Sequence, residues 1–395
     1  MITFSTATAS RAIRRRRIVH IVYSFSVGGL ENVIVQLINR LPADRFEHVL
    51  LSLTDISDFK DRIAQPGVRF IELHKSPGHA VPLYPRIYKL LRELKPDVVH
   101  TCNLAALELV PLAWLARVPL RIHAEHGWDQ HDPDGSNPRY QRLRKLYKPF
   151  VSHYVAVSQD LYDYLGHAIS VPASKLSLIA NGVDTDHFHP PAGARRAVSG
   201  CPFDPASHWM VGTVGRLQTV KNQPLLARAF VLLLQQHPEL ADRARLVIVG
   251  EGPLRQEVVS VLNGAGLMHL AWLPGARSDV ADVLRMLTVF VLPSQTEGTS
   301  CTLQEAMATG LPAVATAVGG NTALLGDGMG HLIPAGDVVA MAAALFDRLT
   351  DVTGSRLQGT KARQRACEQF GIERLATQYE SLFRGAPVGA SHGRT

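Results

Sequence analysis

Short apolar runs rich in β-branched residues alternate with helix-period stretches twice over in this chain, and a proline- and glycine-rich interval separates the two series. The first series has strand-like segments at Ile18 to Tyr23, Glu47 to Leu53, Val68 to Leu73, Asp97 to Thr101, Leu120 to Glu125, Tyr154 to Val157 and Leu176 to Ile179. Helical patterns such as Leu30 to Asn39 and Tyr84 to Leu94 lie between them. The second series begins at Trp209 and runs through Met210 to Val214, Arg245 to Val249, Ala271 to Leu273 and the apolar run ending at Pro293. Its helical patterns are Pro224 to Gln235, Pro253 to Leu262 and Val280 to Leu287. Strands that alternate with helices predict parallel sheets covered on both faces, so the expected class is α/β with two Rossmann-like, doubly wound domains facing a cleft. Ligands of such sheets bind at the carboxyl ends of the strands, which puts the expected site in that cleft.

The expected divisions are a basic leader without fixed structure over residues 1–17, a first domain over 18–190, a linker over 191–208, a second domain over 209–370 and a final amphipathic helix within 371–385. At 395 residues the chain has material for two cores. Its net charge of +7 hints at nucleic acid until it is located. Arg11, Arg14, Arg15, Arg16 and Arg17 carry five of those seven charges, and no acid precedes Glu31. The body is therefore close to neutral, and no base-reading motif with interleaved aromatics appears.

Arg14 to Arg17 followed by an apolar run imitates a signal peptide. The alternation of Ile18, His20 and Val22 and the turn at Gly28-Gly29 fit a buried first strand better. The longest apolar stretch, Leu104 to Leu120, contains Glu108, Pro111, Arg117 and Pro119, which argues against a membrane span. Cys102, Cys201, Cys301 and Cys367 are widely spaced, against a disulfide framework or a spaced zinc motif and in keeping with a reducing cytoplasm.

Glu297 and Glu305 stand eight positions apart, after one apolar run and before another. The pattern places Glu297 in a strand-to-helix loop and Glu305 on a helix that Gly298-Thr299-Ser300 opens and Gly310 closes. The free amides of a helix start suit an anion, and carboxylates accept hydrogen bonds from hydroxyls. Phosphate together with a polyol describes a sugar nucleotide. The plainer alternative makes Glu305 an exposed helix residue and Glu297 a loop carboxylate.

This stretch, Pro293 to Thr316, resembles the signature of family 4 retaining glycosyltransferases, the Glu-x7-Glu group with the GT-B fold. The resemblance extends from about Arg17 to Phe383 and implies that Glu297 contacts the donor sugar and Glu305 the ribose, with amides of Gly298, Thr299, Ser300, Cys301 and Thr302 around the sugar or diphosphate. Gly212-Thr-Val-Gly215-Arg216-Leu217 with Lys221 resembles the family's diphosphate-binding turn, in which Arg216 and Lys221 stabilise the charge on the leaving group. A solvated basic loop is the alternative. Gly28-Gly29-Leu30-Glu31 resembles the family's first glycine turn, and Gly250-Glu-Gly252-Pro253 its Gly-x-Gly-Pro turn, which shapes the donor pocket.

His123, His126, His131 and nearby aspartates are dense enough to suggest a metal, but a strand ending near Glu125 points His123 and His126 to opposite faces. The resemblance instead places His126 beside the donor sugar, with a structural histidine as the other reading, and implies no metal and no cofactor. It also implies that the last helix crosses back onto the first domain.

The expected function is thus metal-independent transfer of a sugar, with retention, from a nucleotide sugar to an oligosaccharide or lipid-linked acceptor. Cytoplasmic placement follows, with peripheral contact at the inner membrane face. Glu-His-Gly-Trp-Asp and Gly-Gly-Leu-Glu look most like transferases of exopolysaccharide loci associated with the PEP-CTERM/exosortase system. Thr299-Ser300-Cys301 departs from the family's usual aromatic and glycine, which leaves the donor open. A catalytically silent sugar-nucleotide-binding or scaffold protein and a nucleotide-sugar epimerase are the competing readings. Dehydrogenase and phosphate-loop readings fail, because neither Gly-x-Gly-x-x-Gly nor Gly-x4-Gly-Lys-Ser/Thr is present.

Overall fold

A computed structural model describes residues 14–129, 132 and 134–386. The first sheet has seven strands, β1 (Arg16–Val22), β2 (Phe46–Ser52), β3 (Arg69–Glu72), β4 (Val98–Cys102), β5 (Leu120–Glu125), β6 (His153–Ala156) and β7 (Leu176–Leu178), in the order β3-β2-β1-β4-β5-β6-β7. The second has six, β8 (Trp209–Val214), β9 (Ala244–Val249), β10 (Ala271–Gly275), β11 (Val289–Leu292), β12 (Ala313–Thr316) and β13 (His331–Ile333), in the order β10-β9-β8-β11-β12-β13. Every strand pairing is parallel. Both sheets reverse direction beside their first strand, and that switch point opens a crevice at the carboxyl ends of β1 and β4 and of β8 and β11. The central strands are buried along their length, as Val19, Ile21, Val99, Val211, Val289 and Val291 show.

The basic leader ends earlier than the sequence suggests. Its residues 1–13 lie outside the described residues, as does His131, but Arg16 and Arg17 already belong to β1. Their charge is answered locally: Arg17 reaches Glu47 at 3.1 Å, Arg14 reaches Asp97 at 2.9 Å, and Arg16 donates to the carbonyl of Phe383 at 2.9 Å. A run of arginines read as solvated tail therefore includes the start of a strand, because acids on β2 and before β4 neutralise it.

The second domain does not end the chain. Helix Val352–Gln369 packs Ala362 and Ala366 against the second domain, and the backbone then passes Gly371, paired with Val183. Helix Ile372–Phe383 follows and buries Ile372, Leu375, Tyr379, Leu382 and Phe383 against Ile18, Val33, Leu37, Phe46 and Val98 of the first domain. Each such side chain contributes about 1.5–3 kcal/mol on burial. Arg40 pins the crossing by pairing with Asp184 at 2.6 Å and Glu373 at 3.0 Å.

Candidate active site

β1 leads through a loop into helix Gly29–Arg40, whose preceding residue Gly28 has extended backbone and whose start carries no side-chain cap. Glu31 turns its carboxylate onto its own amide in the first turn, and the amides ahead of it have no capping side chain from Gly28. A Cβ on Gly28 would collide with the carboxylate of Glu31 and lie 3.3 Å from the Arg216 guanidinium of the other domain. Glu31 is 7% exposed. Burial raises its pKa, and Arg216 opposes that rise. Glu31 and Arg216 thus feel each other's charge across the cleft.

β8 leads into the matching turn of the second domain. Gly215 takes φ 153°, a conformation open to glycine, and places Arg216 at the cleft. Leu217 then bonds to the carbonyl of Glu251 at 2.8 Å. A Cβ on Gly252 would strike the carbonyl of Leu217, so Gly252 supports the Arg216 turn from behind and does not line the cavity. Lys221, four residues past Leu217, donates to Glu297 at 2.6 Å, and Ser294 donates to the same carboxylate oxygen at 2.6 Å.

β11 ends at Leu292, and Ser300 caps helix Cys301–Ala308 by accepting from the amide of Leu303. This helix start also holds the domains together. Thr299 donates from its hydroxyl to the carbonyl of Val157 at 2.6 Å, Asn181 donates to the carbonyl of Thr299 at 3.1 Å, and Gln304 donates to the carbonyl of Asn181 at 2.7 Å. Gly298 lies against the other domain's loop, where a Cβ would sit 2.6 Å from the carbonyl oxygen of His126 and 2.9 Å from Cα of Gly127.

The two turns and this helix enclose a cavity of about 210 Å³ between the domains. Gly28, Gly29, Gly215, Arg216, Lys221, Cys301, Thr302 and Glu305 line it, together with Arg62 and Phe59 of the first domain. Glu297 reaches it through Lys221. Gly298, Thr299 and Ser300 stand behind the wall, occupied by packing, interdomain bonds and the helix cap. Glu305 is partly covered by its surroundings, and the desolvation pushes its carboxyl up to about 8 against the pull of Arg62. A wider groove along the linker, bordered by His189, Arg196, Asp282 and Arg285, contains none of these groups.

His126 follows β5 and donates its backbone amide to Asn103 at 2.7 Å. Its ring nitrogens are buried and make no hydrogen bond of full geometry, and burial lowers its pKa to about 4 against the opposing pull of Glu125 and the Asn181 side chain. Glu125, on the opposite face, pairs with Arg144 of helix Pro138–Tyr147 at 2.7 Å and lies 3.3 Å from His123, itself bonded to Thr101 at 2.9 Å. The expected opposition of His123 and His126 about the strand therefore holds, and His123 is a structural residue.

Sequence reasoning missed Arg62 and Phe59. They sit in a short helical turn, Asp58–Arg62, between β2 and β3, where no motif marks them. Nor does the sequence show that the Thr299 hydroxyl closes an interdomain contact, a role separate from the one expected of its backbone amide.

Residues 27–187 match the family described as Glycosyltransferase Family 4, and residues 209–351 match Glycosyl transferases group 1. The chain belongs to these glycosyltransferases. It is 26% identical over 379 residues to the UDP-Gal:alpha-D-GlcNAc-diphosphoundecaprenol alpha-1,3-galactosyltransferase of Escherichia coli, covering 93% of this chain and 96% of that one. It is 33% identical over 223 residues to the lipopolysaccharide core biosynthesis mannosyltransferase LpsB of Rhizobium meliloti (strain 1021), covering 53% of this chain and 61% of the relative. Among solved structures, Anabaena Alr3699/HepE in complex with UDP-glucose superimposes with a TM-score of 0.79 at 21% identity, covering 93% of this chain and 99% of that one. WaaG, involved in lipopolysaccharide biosynthesis, gives 0.75 at 16% identity, covering 93% of this chain and 100% of the other. The two-domain glycosyltransferase fold, GT-B, is the fold of this chain.

Proposed function

We propose that the chain transfers a sugar from a nucleotide donor to a saccharide or lipid-linked saccharide, with retention at the anomeric carbon and without a metal. The observation that carries this reading is the convergence of Arg216 and Lys221 with Glu305 on one interdomain cavity, opposite the uncapped helix start at Gly28-Gly29. Cleavage at an anomeric carbon expels a nucleoside diphosphate, and fixed cations aimed at that developing charge lower the barrier. Arg216 supplies a planar fork and Lys221 a point charge, which together take the role a divalent ion plays elsewhere. Glu305 accepts from the ribose hydroxyls, and Glu297, held by Lys221 and Ser294, faces the sugar.

His126 lies at the junction of the two domains, with its carbonyl against Gly298 and its ring buried beside the cavity and not in its wall; in this reading it meets the donor sugar or the acceptor hydroxyl once substrate occupies the cleft. In a front-face route the leaving phosphate takes the acceptor proton, so no carboxylate nucleophile is required. The full-length likeness to an enzyme named for a diphosphoundecaprenol acceptor supports a lipid-linked acceptor in envelope or exopolysaccharide synthesis, and with it peripheral contact at the inner membrane face. Among the described residues, no helix is long and apolar enough to cross a membrane. The narrower placement in a PEP-CTERM/exosortase locus rests on the strings Glu125-His126-Gly127-Trp128-Asp129 and Gly28-Gly29-Leu30-Glu31.

The test is a thermal-shift and hydrolysis screen with UDP-, GDP-, ADP- and dTDP-sugars, with and without EDTA, on wild type and Glu305→Ala. One donor should stabilise the protein and release sugar slowly, EDTA should not stop it, and the variant should lose both effects. Failure of every donor, or activity abolished by EDTA, overturns the reading.

A further inference from the structure

Behind the cavity, the first domain carries a chain of buried imidazoles that the transfer reaction does not use. His100 pairs with His20 across β4 and β1, and Ile18 pairs with His48 across β1 and β2, so the three histidines share one face of the sheet. His48 Nδ1 is 3.0 Å from His20 Nε2, and His20 Nδ1 is 3.1 Å from His100 Nδ1. The remaining nitrogen of His100, Nε2, stands 3.8 Å from the Sγ of Cys102, two residues further along β4. His126 completes the group: one ligand atom each from His100, Cys102 and His126 lie within 4.8 Å of one another.

Two independent features point to a ligand here. Both ring nitrogens of His126 are shut off from solvent and make no hydrogen bond of full geometry, although the Asn181 side chain interacts with the ring, and a buried polar atom in that state is costly. The second feature is the outer bond of His100. A metal-bound histidine uses its other N–H to donate to a partner that fixes ring and tautomer. The tautomers that suit a metal are those in which His100 Nδ1–H donates to His20 and His20 Nε2–H donates to His48; His100 Nε2 then presents a bare lone pair toward Cys102 and His126, whereas the reverse chain would make it a donor to the Cys102 sulfur.

We propose that His100, Cys102 and His126 form a three-ligand site for a thiophilic d10 cation such as Zn2+, with the fourth position open, and that filling it withdraws His126 from the cleft and slows transfer. Zn–S distances of about 2.3 Å and Zn–N distances of about 2.0–2.1 Å place tetrahedral ligand atoms roughly 3.3–3.6 Å apart. The His100 to Cys102 spacing needs an adjustment of a few tenths of an ångström, and His126 closes the rest by a side-chain shift. On binding, the thiol gives its proton to solvent and the thiolate takes the metal. The inhibitory half rests on the reading of His126 as a donor-site residue; the binding half does not.

The experiment uses the full chain after dialysis against a chelator, without donor. Equilibrium dialysis against Zn2+ should leave one equivalent bound, and Co2+ should give a thiolate-to-metal charge-transfer band. Cys102→Ser should lose both, while Cys301→Ser, the other cysteine near the cleft, should keep both. With a donor present, Zn2+ should slow transfer by wild type at least tenfold, reversibly with EDTA, and leave Cys102→Ser unaffected. A wild type without bound zinc or thiolate band overturns the site whether or not the variant folds. Unchanged binding by Cys102→Ser overturns the ligand assignment, and zinc bound without slowing overturns the inhibitory role. Zinc binding by a protein inactive on every donor leaves the site standing and removes the transferase reading instead.

Discussion

Lys221 and Glu297 meet at 2.6 Å, and this contact joins the loop after β8 to the loop after β11 at the wall of the cleft. A backbone bond from Gln295 to the carbonyl of Val220, at 2.8 Å, reinforces it. The lysine is 27% exposed and the carboxylate 8%, so the ammonium is the member turned toward the cavity. Lys221→Met keeps the length of the side chain and removes its charge. Turnover should fall about 10²–10³-fold, as when one preorganised stabilising donor is lost, with a smaller change in donor KM. Steady-state kinetics at saturating acceptor check it, and an unchanged turnover number would assign Lys221 to structure only.

Glu305 predicts a pH dependence with a definite sign. Its carboxyl, pushed up from 4.5 to about 8 by desolvation, holds a proton in the folded protein that the unfolded chain has released. Stability from this group is therefore present below pH 4.5 and falls as pH rises through about 8. Accepting from ribose hydroxyls calls for the ionised form, so donor KM should drop as pH rises from about 6.5 toward 8.5, by up to tenfold per unit below the pKa. In Glu305→Gln that slope should vanish. A wild-type KM that is flat over this range would remove Glu305 from the nucleotide site.

The sequence carries some parts of this site plainly and others not at all. Arg216, Lys221 and Glu305 are legible because each follows a strand and a glycine turn at short range, where local spacing dictates position. Arg62 is not: it reaches the cavity from a loop of the opposite domain, and only the closure of two sheets brings it near Glu305. The interdomain tie of Thr299 is hidden for a related reason. Its place at a helix start is a local fact, but the carbonyl of Val157 that takes its hydroxyl is 142 residues away. The histidines of β1, β2 and β4 likewise look like ordinary strand residues until register aligns them.

Gly298 tests how closely the domains must approach. A methyl group there would stand 2.6 Å from the His126 carbonyl, and both neighbours are backbone that cannot swing aside. Gly298→Ala should separate the loops, raise donor KM and lower turnover by at least tenfold, yet shift the unfolding midpoint little because each domain keeps its own core. Kinetics and a thermal melt on the same preparation check it. Normal kinetics would show that the contact gives way without cost to the reaction.

The Glu125–Arg144 pair predicts where acid first attacks the first domain. Burial alone would raise the Glu125 carboxyl, but Arg144 at 2.7 Å, with His123 at 3.3 Å, holds it down at about 2. A carboxylate with a depressed folded pKa contributes stability that is fully present above its unfolded value of 4.5 and is lost as pH falls toward 2. Arg144→Met keeps the stem that packs near Tyr164 and strands the Glu125 charge, which should cost about 3–5 kcal/mol at neutral pH. In the variant, burial without Arg144 lets Glu125 take up its proton as pH falls and relieves the stranded charge, whereas the wild type keeps its carboxylate until pH nears 2, so the gap between wild type and variant should narrow on acidification. Urea denaturation of both proteins at pH 7 and near pH 4 measures this. A gap that stays constant would mean that the packing of Arg144, and not its charge, is what the first domain depends on.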